Sequence, residues 1–331
     1  MSGIAIRCEK LTKRYGELIA LDGLDLEVNA GSIFGFLGPN GAGKTTTIKM
    51  LTGLAHPTSG RAWVNGVAVD QGTTDARHQF GYLPEEPRMY GWMRGREYLV
   101  FIGRLAGLAG AESGRRADEM LELTGLREAG RRRVAGYSRG MRQRLGLAQT
   151  LVTRPPVILL DEPTSALDPV GRRDVLELVV SLKGTVTVFL STHILSDVDR
   201  ICDEVAVLDR GRLITQAGRH ELMERYTLPI FEVEFADDGG RDSEVQAAEL
   251  AGLAWVERVD TSGTRWRVWA AEPEQAKHEL PRWLVGTGRT LLRYELTRPN
   301  LEDVFVRLVG QSSHPHQVVR VAPDSVVPPS V

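Results

Sequence analysis

The stretch Gly38-Pro39-Asn40-Gly41-Ala42-Gly43-Lys44-Thr45 follows the apolar run Ile33-Phe34-Gly35-Phe36-Leu37 and precedes a predicted helix from about Lys44 to Leu54. A strand, a glycine-rich turn and a helix in that order make a phosphate-binding loop. Gly38, Gly41 and Gly43 let backbone N–H groups turn inward around phosphate oxygens, and the helix that follows offers the positive end of its dipole to the same anion. Lys44 is predicted to reach the β and γ phosphates of a nucleotide, and Thr45, with Thr46 beside it, to place a hydroxyl on the accompanying Mg²⁺. A glycine-rich turn can match this pattern by coincidence; the strand before it and the helix after it argue against that. The loop alone leaves a kinase, a GTPase, a motor and a transport ATPase open.

Further along, the apolar strand Val157-Ile158-Leu159-Leu160 delivers Asp161-Glu162 at its C-terminal end, the second half of a nucleotide site. Asp161 suits the Mg²⁺ shell, and Glu162 can accept a proton from an attacking water, a contribution of about 10²- to 10⁴-fold in rate. The plainer alternative is a surface acidic pair capping the turn before Pro163, which the phosphate loop upstream weighs against. An adjacent Asp-Glu after such a strand points to hydrolysis of ATP and requires no phosphoryl acceptor.

The 331 residues are enough for two domains, and the formal net charge of −2 gives no global electrostatic case for nucleic acid. No apolar run approaches the roughly 18 residues of a membrane helix, and Met1 to Cys8 lacks the apolar block of a signal peptide, so a cytoplasmic chain that cannot cross a bilayer by itself is expected. Cys8 continues the Ile4, Ile6 face of a strand, and Cys202 falls with Ile194, Val198, Ile201 and Val205 on one helical face. Both read as small core residues, neither as a disulfide or metal ligand.

Antiparallel strands are predicted over Ile4 to Cys8, Leu24 to Val28 and Ile33 to Leu37, then a strand-turn-strand around Trp63 to Val69. Helices broken at Gly110, Gly125 and Gly136 fill Glu97 to Thr153. The continuously apolar runs Val157 to Leu160 and Val186 to Leu190 suit a parallel sheet covered on both faces, with ligands at its C-terminal edge. Near Leu222 to Pro229 the character changes to strand 230–236, helix 243–251, strand 254–260, strand 264–270, helix 274–285, strand 290–296 and helix 301–309. That βαββαβα order is ferredoxin-like with an added terminal helix, and Asp260-Thr261-Ser262-Gly263 supplies its central turn. Gln311 to Val331 has no helical or strand period and reads as a disordered tail.

Tyr137-Ser138-Arg139-Gly140-Met141-Arg142-Gln143-Arg144-Leu145, just upstream of Asp161-Glu162, resembles the signature of the ATP-binding subunits of ABC transporters. Ser138 and the N–H groups around Gly140 open a helix and can bind an anion; an isolated Ser-x-Gly would be an ordinary cap. In the family that anion is the γ-phosphate held by the opposite subunit. Ser165-Ala166-Leu167-Asp168 resembles the D-loop that crosses the dimer interface. Ser191-Thr192-His193 places His193 directly beyond a buried strand, like the switch histidine that contacts the γ-phosphate. Tyr15, in Lys13-Arg14-Tyr15-Gly16, resembles the aromatic residue that stacks on adenine.

Two departures from the family pattern stand out. Tyr137 and Arg139 occupy positions where leucine and a second glycine are usual, which keeps the anion-binding core and adds a cation. In Gly81-Tyr82-Leu83-Pro84-Glu85-Glu86, Glu85 stands where the Q-loop usually has glutamine; a carboxylate still ligates Mg²⁺ but adds negative charge near the phosphates. Tyr-Ser-x-Gly-Met, Pro-Glu at the Q-loop and the ending Pro299-Asn300-Leu301-Glu302-Asp303-Val304-Phe305 resemble the ATPase subunits of type-2 ABC exporters, the group of drug, antibiotic and sodium extrusion systems and polysaccharide exporters. The arginines at 127, 131, 132, 133, 139, 142 and 144 read as solvated helical faces, since no aromatic residues interleave them for stacking on nucleic acid.

The resemblance covers about residues 4 to 225 with every nucleotide motif and extends less specifically beyond. It implies an α/β P-loop NTPase fold of the ABC ATPase type at 1–225, with a mixed sheet core, an N-terminal antiparallel β subdomain and a helical subdomain at about 86–153. A smaller ferredoxin-like α+β domain at 226–310 and the tail from 311 follow. It further implies two copies sandwiching two ATP molecules with Mg²⁺, coupled to a membrane permease on the inner face of the cell membrane and powering export. The alternative is a soluble ABC ATPase acting on the ribosome or nucleic acid. Such proteins usually carry two nucleotide domains or a long coiled-coil insertion, and this chain has one motif set and no heptad run.

Overall fold

The computed structural model describes the chain except residues 1–2, 70–73, 166, 226–229, 238–242, 298–300 and 313–331. Of the tail predicted from Gln311, residues 311 and 312 are the last of a helix and the rest, 313–331, lie outside the described residues, as do Ala166 of the D-loop and the Pro299-Asn300 pair.

Two long strands, β1 (Ile4–Tyr15) and β2 (Leu18–Asn29), form a hairpin before β3 (Ile33–Leu37). Both outrun the predicted five-residue segments because register shifts flank Leu11, where the chain bulges and the period-2 alternation that marks a strand in sequence is lost. Lys10 sits at φ +47° in that bulge, and its N–H donates to Asp25 Oδ1 at 2.8 Å. Then come α1 (Lys44–Leu51), β4 (Ser59–Val64), β5 (Val67–Ala68), α2 (Thr74–Arg77) and β6 (Phe80–Leu83). Helix α1 stops at Leu51 rather than Leu54 because Thr52 caps it and Gly53 turns to φ +71°. The helical stretch resolves into α3 (Gly95–Leu105), α4 (Gly110–Leu123) and α5 (Arg139–Leu151), with 3₁₀ turns at Glu128–Arg131 and Val134–Gly136 between the last two. Next are β7 (Val157–Asp161), α6 (Pro169–Ser181), β8 (Thr187–Thr192), α7 (Leu195–Ile201), β9 (Glu204–Asp209), β10 (Arg212–Gly218) and α8 (Arg219–Arg225). Cys202 caps α7, so Val205 belongs to β9 and not to the helical face predicted for it.

The central sheet runs β10-β9-β3-β8-β7-β6, parallel from β9 to β6 with β10 antiparallel at one edge, which is the mixed sheet the motifs imply. Every residue of β3, β7 and β8 is buried, as expected of strands covered on both faces. The antiparallel sheet β2-β1-β4-β5 packs with α1 over one face through Leu11, Phe34, Phe36 and Phe189. The helices from α3 to α7 cover the other, around Leu99, Leu145, Leu160 and Val188. Gly81 fixes how close α5 comes: a Cβ there would stand 2.2 Å from Thr150 O.

After α8 the chain builds β11 (Ile230–Phe235), α9 (Ser243–Ala251), β12 (Val256–Ser262), β13 (Arg265–Ala270), α10 (Pro273–Gly286), β14 (Leu291–Thr297) and α11 (Leu301–Ser312). The all-antiparallel order β12-β13-β11-β14 is the ferredoxin-like arrangement of a βαββαβ unit. Its hairpin is tighter than the predicted Asp260–Gly263 turn, because Asp260, Thr261 and Ser262 pair with Arg267, Trp266 and Arg265 and leave only Gly263 and Thr264 to reverse the chain. A separate core of Phe231, Phe235, Trp266 and Leu280 lies between this sheet and its helices. Leu301, Val304 and Leu308 of α11 belong instead to the core beneath α7, with Val198, Ile201 and Leu222.

Candidate functional site

The predicted nucleotide residues converge where β3, β7 and β8 end at one edge of the central sheet. Gly43 begins α1 at φ +108°, and a Cβ on it would stand 2.5 Å from Ala20 O, so only glycine lets the loop pass this close to β2. Lys44 is buried, with Nζ donating to Gly38 O at 2.8 Å and Pro39 O at 3.3 Å and standing 3.2 Å from Glu162 Oε1. The other carboxylate oxygen, Oε2, lies 2.9 Å from His193 Nδ1. A carboxylate at Nδ1 favours the tautomer with its proton on that nitrogen, which leaves Nε2 to a ligand.

Glu162 has a backbone φ of +47°, a left-handed conformation that costs a residue with a side chain roughly 1–2 kcal/mol. Its N–H is held by Ser191 O at 3.1 Å and Ser191 Oγ at 3.2 Å, and these contacts from β8 fix the turn that aims the carboxylate between Lys44 and His193. Asp161, one residue earlier, is buried and accepts from Ser191 Oγ at 2.6 Å and Thr45 Oγ1 at 3.2 Å. Burial pushes its carboxyl above the ordinary aspartate range, and the two hydroxyls pull it partly back. Thr45 and Asp161 are hard oxygen donors suited to Mg²⁺. Among the described residues no group of three or more His, Cys, Asp or Glu is placed to hold a metal ion.

A cleft of about 560 Å³ gathers Tyr15, Asn40, Gly41, Ala42, Gly43, Lys44, Thr45, Thr46, Glu85, Glu162 and His193. Gly38 and Pro39 do not line it; their carbonyls hold the Lys44 ammonium from behind. The Tyr15 ring is half exposed at the rim, with Lys13 Nζ 4.9 Å from its centroid. Leu18, Ile19, Ala20 and Arg210 also line the cleft and were not anticipated. Arg210 reaches it from the β9–β10 turn, where Gly211 N–H donates to Ala42 O at 2.9 Å, a long-range contact without a local sequence mark.

Ser138, Gly140 and Asp168 stand outside this cleft. Ser138 caps α5, accepting from Met141 N at 3.2 Å, and Asp168 caps α6, accepting from Gly171 N at 2.8 Å. Tyr137 is buried and donates to Ala129 O at 2.7 Å, so the unusual aromatic start of the signature is a packing residue with a satisfied hydroxyl. The arginine cluster is partly structural: Arg142 donates to Tyr137 O at 2.6 Å, and Arg132 to Gly136 O at 3.1 Å.

Behind Glu162 lies a buried network. Asp197 of α7 accepts from Thr164 Oγ1 at 2.6 Å and from Arg172 Nε of α6 at 2.6 Å. It ties the turn carrying Glu162 to the helix capped by Asp168 and to the helix that follows His193.

The family model described as ABC transporter matches residues 21–165. A daunorubicin resistance ATP-binding protein of Streptomyces coeruleorubidus is 38% identical over 311 residues, covering 94% of this chain and 97% of that protein. A bacitracin transport ATP-binding protein of Bacillus licheniformis is 34% identical over 307 residues, covering 92% and 97%. A solved structure described as an ATP binding subunit of an ABC transporter aligns with a TM-score of 0.61 at 30% identity, covering 67% of this chain and 93% of that one. Together with the nucleotide cleft, these similarities show that the chain belongs to the ATP-binding subunits of the ABC transporter family and is an ATPase.

Proposed function

We propose that two copies of this chain close around two ATP molecules, and that closure and reopening drive export through a separate membrane permease. Each ATP is held by the phosphate loop of one copy and by Ser138, Gly140 and Asp168 of the other. The observation that carries this is the division of the anion-binding groups. Lys44, Thr45, Glu162 and His193 share one cleft, whereas Ser138 and Gly140 open the 13-residue helix α5 and do not line that cleft.

Within the composite site Tyr15 offers its ring to adenine, and the backbone from Asn40 to Thr46 wraps the phosphates. Lys44 supplies a buried cation where charge grows on the transferred phosphoryl group, and Glu162 accepts the proton of the attacking water. His193, steadied through Nδ1 by Glu162, presents Nε2 to the γ-phosphate. Thr45 and Asp161, with Glu85 at the cleft wall, would hold Mg²⁺, whose chemistry is to neutralise charge on the β and γ phosphates.

Contact with the permease is assigned to Glu85 through Arg104. That segment displays an exposed aromatic cluster in which Tyr90 lies 6.1 Å from Trp92 and 5.8 Å from Phe101, ring centroid to centroid, with Trp92 71% exposed. No helix among the described residues is long and apolar enough to cross a membrane, and in this reading the chain sits on the cytoplasmic face through that partner. The names of the resistance and transport relatives favour export over action on the ribosome or nucleic acid. The chain divides into an ATPase unit to residue 225 and an accessory unit from 226 whose last helix, ending at Ser312, returns to the first, so the tail expected from 311 starts no earlier than 313.

The test is Glu162→Gln. It should retain ATP, stop turnover and accumulate as an ATP-bound dimer in sedimentation velocity. A variant that stays monomeric with ATP and hydrolyses at the wild-type rate overturns the composite site.

A further inference from the structure

β14 is the outermost strand of the C-terminal sheet, paired with β11 on one side only. Leu296 and Tyr294 stand opposite Phe231 and Val233, so they project on the face that the helices cover, and the Tyr294 ring stacks on Phe231 at 5.7 Å. The neighbouring strands bury their apolar residues there, yet Leu292 is 64% exposed, Tyr294 37% and Leu296 46%. The opposite edge of the same sheet, β12, carries Glu257, Arg258 and Asp260, the charged character of an edge that faces water. β14 also carries charges on its outward face and has a register shift against β11 between Glu234 and Phe235, yet its apolar side chains remain exposed.

Its other face carries Arg293 and Glu295, bonded to each other along the strand. Two antiparallel copies of β14 related by a two-fold axis at Tyr294 place Arg293 opposite Glu295 of the second copy, twice, and Leu292 opposite Leu296, twice. A two-fold at Arg293 or Glu295 would set like charges against each other, and one at Leu292 would set Arg293 opposite Leu291 and carry Glu295 past the start of the strand toward Arg289. The sequence Leu291 to Thr297 is therefore self-complementary in one register.

We propose that β14 is a homotypic interface, joining the C-terminal sheets of two copies of this chain into one eight-stranded sheet through an antiparallel β14–β14 pair centred on Tyr294. The occupant is a second copy because the pattern of charges matches its own reverse, which a chance partner strand has no reason to do. Leu292, Tyr294 and Leu296 from both copies then form one apolar stripe, and the unpaired edge disappears. This interface is separate from the ATP-enclosed contact and requires no nucleotide.

The test uses the full chain without nucleotide, which separates it from the composite ATP site. Tyr294→Cys, at the axis, should form a disulfide-linked dimer on mild oxidation, since residues directly opposed in an antiparallel pair fall within disulfide reach. Cys8 and Cys202 are buried and do not compete. Ser262→Cys, at the end of β12, should remain monomeric under the same conditions. Arg293→Glu should weaken self-association about tenfold or more in sedimentation equilibrium, because the symmetry turns two favourable contacts into two repulsions. The exchange Arg293→Glu with Glu295→Arg should restore it. Cross-linking of Tyr294→Cys no better than that of Ser262→Cys overturns the proposal, as does equal association of the single and double charge variants. Capture of the permease by β14 with no self-association would overturn it too.

Discussion

Asp197→Ala tests whether the turn bearing Glu162 is held from behind. The carboxylate is 2% exposed and takes one hydrogen bond from Thr164 on that turn and another from Arg172 on α6. Alanine strands the buried Thr164 hydroxyl at about 1–3 kcal/mol, and breaking a buried ion pair costs about 3–5 kcal/mol when the surviving charge stays dry. Arg172 does not stay dry: its side chain is 30% exposed and also donates to Ser196 Oγ at 2.7 Å, so its share falls well below that range. The sum is about 3 kcal/mol, felt where Glu162, α6 and α7 meet. Because a chain with several cores need not unfold in one step, the measurement is native-state hydrogen exchange on peptides spanning 157–165 and 195–201, where amides should exchange about 10²-fold faster. Steady-state ATP hydrolysis should lose kcat with little change in KM, since Lys44 and the phosphate loop are untouched. Thr164→Val should show coupling with Asp197→Ala above about 1 kcal/mol in a double-mutant cycle. Unchanged exchange together with additive effects would refute the reasoning.

Gly81→Ala should loosen α5 from β6, because the new methyl would meet Thr150 O at 2.2 Å; overpacking of this kind costs about 1–3 kcal/mol, and thermal unfolding followed by circular dichroism should register it. Burial pushes the Cys8 thiol up to about 12 and the Cys202 thiol upward as well, so unfolding releases thiol protons once the pH passes the ordinary value of 9.0. The folded state binds more protons there, so stability from these groups is fully present below pH 9.0 and falls as pH rises through the folded values. Urea midpoints between pH 8 and 10.5 should decline less steeply in the Cys8→Ala, Cys202→Ala double variant.

Local chemistry was legible in the sequence wherever one short segment carries it. The loop from Gly38 to Thr45, Asp161-Glu162 at the end of an apolar strand, and His193 after β8 all announce themselves within ten residues, and parallel pairing brings the ends of β3, β7 and β8 together. Arg210 carries no local sequence mark, because long-range contacts such as the hydrogen bond from Gly211 to Ala42 bring the β9–β10 turn to the phosphate loop. Nothing in the sequence around Asp197 marks it, because its importance comes from partners 25 and 33 positions away. The length of β1 and β2 was hidden by bulges, which break the alternation a strand is recognised by. The left-handed backbone of Glu162 has no sequence signature, since glutamate is not a residue that seeks that conformation.

The last helix shows why a linear division of the chain understates its architecture. By order in sequence α11 closes the ferredoxin-like unit, and Asp303 does hold Arg267 of β13 with two hydrogen bonds of 2.7 and 3.0 Å. Its apolar side, however, is buried on the other unit, where Leu301, Val304 and Leu308 join Val198 and Ile201 of α7. Burying three such side chains is worth about 1.5–3 kcal/mol each, more than an isolated ion pair at a part-exposed site provides. Packing therefore fixes α11 to the ATPase unit, and Asp303 fixes the C-terminal sheet to α11. α7 begins two residues after His193, and Asp197 within it braces the Glu162 turn. The C-terminal sheet is thus anchored to the same helix that supports the hydrolytic residues, and a displacement of α7 must carry α11 with it or expose that apolar surface to water.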